Sequence, residues 1–165
     1  MEDLEMVIGG EMVMGPHFIC AMMLSLWAPS TNTTEEIALA TCEDIVAEAY
    51  TAQIDPVLVA VLAYTESRLN PKARSKAGAV GPLQVLPKYH CPNGREKGCD
   101  LIYAGINALI KFKTRWGKKG WKEVLCHWNS GNKCNRRSRY FARAVLRRKA
   151  ELEKFMEDEE FFGCE

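Results

Sequence analysis

The sequence lacks the patterns that mark β-rich, repetitive or multidomain proteins. No segment alternates apolar and polar residues clearly enough for a β-strand, and there is neither an internal repeat nor a domain linker. The apolar run at residues 18–28 is too short to span a bilayer. Because 165 residues suit one domain with a single core, we predict an all-α protein with one helical domain.

The chain also lacks a large net charge, since the formal value is only +1. That value hides a strong asymmetry. Residues 111–149 carry fourteen Lys or Arg and one acid, Glu123, whereas residues 151–165 carry seven acids and one base. Such a basic segment fits an anionic wall polymer, a membrane surface or nucleic acid. The alternatives are a solvated helix face, which is more common, and pairing with the acidic tail.

The N-terminal segment has two interpretations. Its apolar run has the length of a signal-peptide core, and removing residues 1–28 would leave six of the seven cysteines, an even number that suits disulfides in an exported domain. The acidic residues 1–11 oppose this interpretation, because a signal peptide begins with a basic segment. The alternative is an N-terminal helix that stays with the fold. We favour export, with the folded domain in residues 29–165.

Capping residues and helical periodicity predict the order of the helices that follow. The second predicted helix is apolar all round from Val57 to Ala63, so it belongs in the core. The predicted caps or first residues of successive helices are Thr33, Asp55, Gly81, Asp100, Trp121 and Ser138. The helix from Gly81 is expected to be short and to end by Pro87.

Glu66 stands at the end of the apolar helix. Apolar surroundings disfavour an ionised carboxylate and raise its pKa, which suits a general acid for glycosidic bond cleavage. For a lone glutamate, an ordinary surface position is the more common outcome. The residues that follow favour the chemical role, because glycines mark tight turns and Gln84 offers both a donor and an acceptor for an acetamido sugar.

Several motifs appear in a fixed order after this glutamate. They are Glu66-Ser67, Asn70-Pro71, Ser75, Gly78-Ala79, Gly81-Pro82-Leu83-Gln84, Pro87 and the later His127-Trp128-Asn129-Ser130-Gly131. Their order resembles the soluble lytic transglycosylase family, relatives of goose-type lysozyme, over about residues 36–145. Several spaced motifs in the right order are more specific than one short pattern.

The resemblance implies a lysozyme-like helical domain that cleaves the glycan of peptidoglycan. It implies a single catalytic carboxylate, Glu66, with stabilisation of the sugar cation by the substrate's N-acetyl group and an anhydromuramyl product. It places Ser75, Gln84, Trp128 and Asn129 in substrate binding, with no metal and no cofactor. Trp128 departs from the family pattern, which has a tyrosine there.

Other functions stay open at this point. A hydrolase with two carboxylates needs a second acid, and none occurs between Glu66 and Glu96, so a goose-type hydrolase is the second choice among enzymes. A helical domain that binds glycan without cleaving it, or that binds nucleic acid through its basic residues, is the alternative from another class. The sequence contains no recognisable motif for reading nucleic acid.

The cysteines are predicted to close loops. Six cysteines allow fifteen pairings. We predict the pairs Cys91–Cys99, Cys126–Cys134 and Cys42–Cys164. A zinc site that uses His90 and His127 is disfavoured, because the spacing is not the short Cys-x-x-Cys form. We expect a monomer that acts on peptidoglycan in the periplasm or cell wall, or as part of a virion.

Overall fold

The computed structural model describes residues 5–8 and 11–162. This part of the chain is almost entirely helical, as the sequence predicted, with seven α-helices and one short hairpin. The helices are α1 Pro16–Leu26, α2 Glu35–Thr51, α3 Pro56–Ser67, α4 Pro87–His90, α5 Leu101–Trp116, α6 Trp121–Ser130 and α7 Arg136–Phe162. Single 3-10 turns at Pro92–Gly94 and Gly117–Lys119 connect them.

A β-hairpin precedes the first helix. Strand β1, Glu5–Ile8, pairs antiparallel with β2, Glu11–Met14, so that Glu5 lies opposite Met14. The sequence did not predict these strands, because segments of four residues are too short to show a clear alternation. The Tyr50 hydroxyl of α2 donates a hydrogen bond to the Met14 carbonyl and joins the hairpin to the helical domain.

Helix α3 occupies the centre of the core. Asp55 caps it by accepting hydrogen bonds from the backbone N–H groups of Val57 and Leu58, and Pro56 takes the first helical position. Every residue from Val57 to Tyr64 is buried, with α2 and α7 packed against the helix. The end of this buried helix therefore carries Glu66 to the edge of the core.

Two predicted caps are wrong by a short distance. Thr34, not Thr33, caps α2 by accepting from the Ile37 N–H at 3.1 Å. Helix α7 begins at Arg136 rather than after Ser138, because Asn135 is the residue whose side chain accepts from the Ser138 N–H at 2.9 Å. Ser138 returns the bond by accepting from the Asn135 N–H at 2.8 Å, so the two residues form a reciprocal cap.

The segment from Gly81 to Leu86 is a turn and not the short helix that was predicted. Val80 pairs with Val85 through backbone hydrogen bonds of 2.8 and 3.0 Å, which folds residues 81–84 into a tight loop. The short helix α4 begins only at Pro87. Ser67 at the end of α3 places its Oγ 2.8 Å from the Pro82 carbonyl, which ties this loop to the helix that carries Glu66.

Helix α1 packs into the same core as the other helices. Its residues Phe18, Ile19, Cys20 and Met23 are buried, and Cys20 forms a disulfide with Cys42 of α2. The predicted pair Cys42–Cys164 is therefore wrong for Cys42, and Cys164 lies outside the described residues. The error arose because Cys20 was assigned to a removable segment. A cut after residue 28 would separate the two bonded cysteines, and N-terminal sequencing of the mature protein is the test of that prediction.

The structure contains the two other predicted pairs. Cys91 is bonded to Cys99, and Cys126 is bonded to Cys134. The first closes the loop after α4, and the second connects α6 to the segment before α7. None of the helices in the described part of the chain combines the length and the hydropathy needed to cross a lipid bilayer.

Candidate active site

Glu66 and Trp128 are joined by a direct hydrogen bond. The indole Nε1–H of Trp128, in α6, donates to Oε1 of Glu66, at the end of α3, over 3.0 Å. The two residues are 62 positions apart in the sequence, and the packing of the helices brings them together. The glutamate predicted as the acid and the tryptophan at the family's tyrosine position therefore form one unit.

The environment of Glu66 suits proton transfer near neutral pH. The pKa of Glu66 is raised to about 7, because burial raises it by more than the hydrogen bond from Trp128 lowers it. Burial acts because a partly dry site disfavours the ionised carboxylate, whereas an N–H donor favours it. The side chain is thus present both as acid and as base at ordinary pH.

A cavity of about 560 Å³ lies beside this pair. Trp128 forms part of its wall, and Glu66 connects to the cavity through Trp128 rather than lining it. The lining residues are Gln84, Val85, Leu86, Tyr89, His90, Phe112, Trp128, Asn129, Ser130, Gly131 and Asn132. Volume and lining match ligand sites, which are roughly 300–1,000 Å³ with aromatic walls and a few polar groups.

Gln84 lines this cavity, but its side-chain amide nitrogen is hydrogen-bonded within the protein. Its Nε2 donates to the carbonyls of Ala73 and Gly81 at 3.1 and 2.8 Å, and its backbone has a positive φ of 52°. The sequence predicts that this amide offers both a donor and an acceptor to the substrate. In the structure the donor holds the turn, so the side-chain oxygen is the group left for a ligand.

Ser75 lies outside the set of residues that lines the cavity. Its hydroxyl accepts a hydrogen bond from the Ala79 N–H at 3.0 Å, and its own N–H donates to the Ala79 carbonyl at 2.9 Å. The side chain is exposed. In this structure Ser75 stabilises the turn at 75–79, and its contact with a substrate stays a prediction.

Asn129 lies in the last turn of α6, beside Trp128, and a network around His127 fixes that turn. His127 is buried and stacks on Trp116, with ring centroids 3.6 Å apart. Its Nδ1 lies 2.6 Å from the Gly131 carbonyl and its Nε2 lies 3.3 Å from Glu123. These contacts hold the end of the helix that presents Trp128 and Asn129 to the cavity.

Three aromatic residues of the cavity wall were not predicted from the sequence to bind substrate. Tyr89 and Phe112 add aromatic surface to the cavity, and Phe112 packs edge-on against Trp128 at 5.8 Å. His90 also lines the cavity, and its pKa is lowered by burial and by the nearby Lys111. Phe112 has the helical spacing of a core residue, and no local pattern separates an aromatic residue at a cavity from one in the core.

One cluster could attract a metal by residue type. Glu123, His127 and Cys134 bring ligand atoms within 4.8 Å of one another. The sulfur of Cys134 is bonded to Cys126, however, and His127 already contacts Gly131 and Glu123. A thiolate is the form of cysteine that binds zinc, so this cluster is a structural contact in the oxidised protein.

The fold and the site together define a class. A helical, lysozyme-like domain presents one partly buried carboxyl group beside a cavity with aromatic walls, which is the arrangement of enzymes that protonate a glycosidic oxygen.

Comparison with known families gives the same class. Residues 44–149, which are 106 of the 165, match the family model described as "Transglycosylase SLT domain". The chain belongs to this family, whose members are transglycosylases of peptidoglycan. The match begins within α2 and ends within α7, so it contains Glu66 and Trp128. Searches of curated proteins and of solved structures found no match.

Proposed function

We propose that this protein is a lytic transglycosylase, a murein-degrading lyase that cleaves the MurNAc–GlcNAc bond with Glu66 as its single catalytic carboxylate and releases 1,6-anhydromuramyl ends. The observation that supports the proposal is the carboxyl group of Glu66. Its pKa is raised to about 7, and Trp128 fixes it beside a cavity large enough for sugar rings.

The first step of this mechanism needs a proton donor. Protonated Glu66 gives its proton to the glycosidic oxygen as the bond to the muramyl C1 breaks, and the bonding electrons leave with that oxygen. The substrate's N-acetyl group stabilises the cation. In the second step the ionised Glu66 takes the proton of the muramyl 6-hydroxyl, whose oxygen bonds to C1 and closes the anhydro ring.

The causes of the pKa shift at Glu66 favour this route over hydrolysis. Within the described residues, the pKa of Glu66 responds to burial and to Trp128, with no contribution from another carboxylate. A two-carboxylate hydrolase places its second acid roughly 5–10 Å from the first, where it would raise that pKa further. A sugar hydroxyl that is already bound needs no further ordering, unlike a free water.

The walls of the cavity suggest which parts bind the glycan. The side-chain oxygen of Gln84 and the amide of Asn129 are the polar groups expected to bind acetamido and ring positions. Tyr89 and the exposed part of Trp128 supply flat surfaces, on which the apolar faces of sugar rings pack. Ser75 is expected to act on the substrate through the turn that it stabilises.

The basic segment is proposed to attach the enzyme to an anionic surface of the wall or the adjoining membrane. Arg136, Arg143 and Arg147 are exposed on one face of α7, with Tyr140 between them. The ion pairs of the described residues leave these three arginines without an acid partner. Lys111 lies near His90 in the cavity wall, so positive charge also adjoins the glycan site.

We also propose that the protein works outside the cytoplasm, in the periplasm, in the cell wall or on a virion, as a monomer. Three disulfides support this location, because such bonds form and persist in oxidising compartments. The substrate lies there as well.

The test is a digest of purified peptidoglycan analysed by mass spectrometry. We expect each new muramyl end to be lighter by one water than a hydrolysed end, without new reducing sugars. Glu66→Gln should lower the rate ~10²–10⁴-fold, because the amide has no transferable proton. Glu151→Gln, in an exposed position of α7, is the matched control and should keep full activity.

Each other outcome has a defined meaning. Ends that carry the water and accumulate as reducing sugars would replace this proposal with a goose-type hydrolase. Binding to walls without cleavage would indicate a glycan-binding domain. Retention on DNA without cleavage would indicate a nucleic-acid-binding domain.

A further inference from the structure

Trp128 places an unusual hydrogen-bonding group against the proposed acid. An indole has one N–H donor and no acceptor, whereas the tyrosine hydroxyl of the family pattern both donates and accepts. In this chain the Nε1–H of Trp128 is directed at Oε1 of Glu66 over 3.0 Å. Among the described residues, this is the one side-chain hydrogen bond that Glu66 makes.

The direction of the indole is fixed on both sides. Phe112 of α5 packs edge-on against the ring, with centroids 5.8 Å apart and planes at 69°. The helix turn that carries Trp128 is held by His127, which is buried, stacked on Trp116 and bonded to the Gly131 carbonyl. The N–H group therefore cannot turn away from Glu66 without disturbing packed neighbours.

We propose that Trp128 is a positioning residue that keeps Oε1 of Glu66 as an acceptor and confines the acid proton to Oε2. This deepens the proposed function and rests on it. With the proton on Oε1, that hydroxyl oxygen would be a weaker acceptor for the indole N–H than a carbonyl oxygen, and the indole offers no acceptor for the O–H. With the proton on Oε2, Oε1 accepts the indole N–H in both charge states, so the bond persists through the reaction.

In this assignment, Oε2 of Glu66 takes part in both proton transfers. Oε2–H breaks as the leaving oxygen gains its proton, and Oε2 later receives the proton of the attacking hydroxyl, which restores the acid. Between the two steps the indole N–H stabilises the negative charge that Glu66 carries. A tyrosine hydroxyl in this place could accept a hydrogen bond from an O–H on Oε1, so either oxygen could hold the acid proton.

Charged groups on the neighbouring helices are engaged elsewhere. Arg148 donates to Thr65 and lies over the Tyr64 ring, and Lys149 pairs with Asp55. Glu123 faces His127 and Arg139, and Lys111 acts on His90. Among the described residues, Trp128 is thus the polar side chain that lowers the pKa of Glu66, against the larger effect of burial.

The test compares Trp128→Phe and Trp128→Tyr with the wild type in the intact protein. Carboxyl-labelled glutamate is titrated by ¹³C NMR, with Glu66 assigned by its absence in Glu66→Gln. Trp128→Phe keeps a ring and removes the donor, so the pKa of Glu66 should rise by roughly one pH unit, the size expected for a hydrogen bond to a charged group. Trp128→Tyr should return the pKa towards the wild-type value, because its hydroxyl donates.

Isotope-edited infrared spectroscopy reads the proton position itself. In the wild type at acidic pH, the carbonyl of protonated Glu66 is the hydrogen-bonded Oε1, and its stretch should move to higher frequency in Trp128→Phe. Trp121→Phe, on the same helix but in contact with Lys113, should change neither reading. An unchanged or lower pKa in Trp128→Phe, or an unchanged stretch, would overturn the proposal.

The two proposals fail in different ways. The NMR and infrared readings need no cell wall, so they judge the role of Trp128 alone. If the readings shift as expected and the wild type does not cleave peptidoglycan, the proposed function is wrong and the hydrogen-bond assignment stands. If the wild type cleaves peptidoglycan and Trp128→Phe titrates like it, the positioning role is wrong and the function stands.

Discussion

At the scale of a single residue, the burial that suits Glu66 to its proposed role as the acid should also lower the stability of the folded protein at neutral pH. Burial raises the pKa of Glu66 from 4.5 to about 7. Between these values the unfolded chain has lost the proton while the folded protein keeps it, so the free energy of unfolding falls as pH rises. This decrease in the free energy of unfolding is absent below pH ~4.5 and complete above pH ~7.

We therefore predict that Glu66→Gln stabilises the protein in a pH-dependent way. The neutral amide has no ionised form to desolvate, so the variant should gain on the order of 2 kcal/mol at pH 8 and little at pH 4. Thermal unfolding at the two pH values measures the difference. Glu151→Gln removes a carboxylate at an exposed position and should show no such gain.

The same titration predicts the alkaline limit of activity. Because Glu66 must carry its proton to act as the acid, wall cleavage should decline above its pKa of about 7. A rate that stays constant up to pH 9 would mean that another group donates the proton.

At the scale of secondary-structure elements, α5 holds one wall of the cavity through a glycine. Gly105 faces the loop that carries Leu83 and Val85, and a Cβ placed there would lie 2.6 Å from Leu83 Cδ1 and 2.9 Å from Leu83 Cβ. Real side chains do not approach so closely. The helix therefore contacts this loop with its backbone.

We predict that Gly105→Ala destabilises the protein by roughly 1–3 kcal/mol, although alanine favours helices, because the loop must move away from α5. Since Gln84 follows Leu83 in that loop, glycan cleavage should fall as well. Denaturant unfolding and cleavage rates are the measurements. Gly117→Ala is the control, because a Cβ there meets only Lys113 Cγ at 3.5 Å.

The helices could largely be predicted from the sequence, whereas their exact ends and the loop at residues 81–86 could not. Asp55 and Asp100 were identified correctly as caps, because each is followed at once by a strong helical pattern. Thr33 and Thr34 are adjacent and chemically equal, and only their backbone angles decide which one caps. The segment at residues 81–86 is a turn because Val80 pairs with Val85, and a local sequence pattern does not reveal that pairing.

The site was predictable only in part, for the same reason. Glu66 was predicted from its place at the end of an apolar helix, and Trp128 from a resemblance. Their hydrogen bond depends on how α3 and α6 pack. The use of the Gln84 amide by Ala73 and Gly81, and the partner of Cys42, also depend on contacts between distant segments.

At the scale of the whole molecule, charge should govern how the enzyme finds its polymer. We predict that binding to purified walls weakens as the salt concentration rises, because salt screens the attraction between the exposed arginines and the anionic wall. Arg143→Gln with Arg147→Gln should bind walls more weakly and with less salt dependence, and should cleave short soluble glycans at the wild-type rate. Sedimentation with walls measures binding, and Lys154→Gln is the control.

Two of the disulfides meet the cavity, and the third does not. Cys91–Cys99 begins directly after Tyr89 and His90, and Cys126–Cys134 encloses residues 128–132 of the cavity wall. Cys20–Cys42 joins α1 to α2 in the core. Each of the first two disulfides fixes a wall that carries groups proposed to bind glycan, whereas the third holds helices together.

The redox state of the surroundings should therefore control whether this enzyme can cleave glycan. Replacing Cys126 and Cys134 by serine should slow wall cleavage while the helical content persists. Replacing Cys20 and Cys42 should instead cost about 2–4 kcal/mol of stability and spare the turnover rate of the folded protein. Equal effects on activity would contradict this division. In a reducing compartment the two disulfides beside the cavity would be open and the walls of the cavity would not be held in place. A cell that makes the enzyme there would keep it inactive until export, which would protect the cell's own wall.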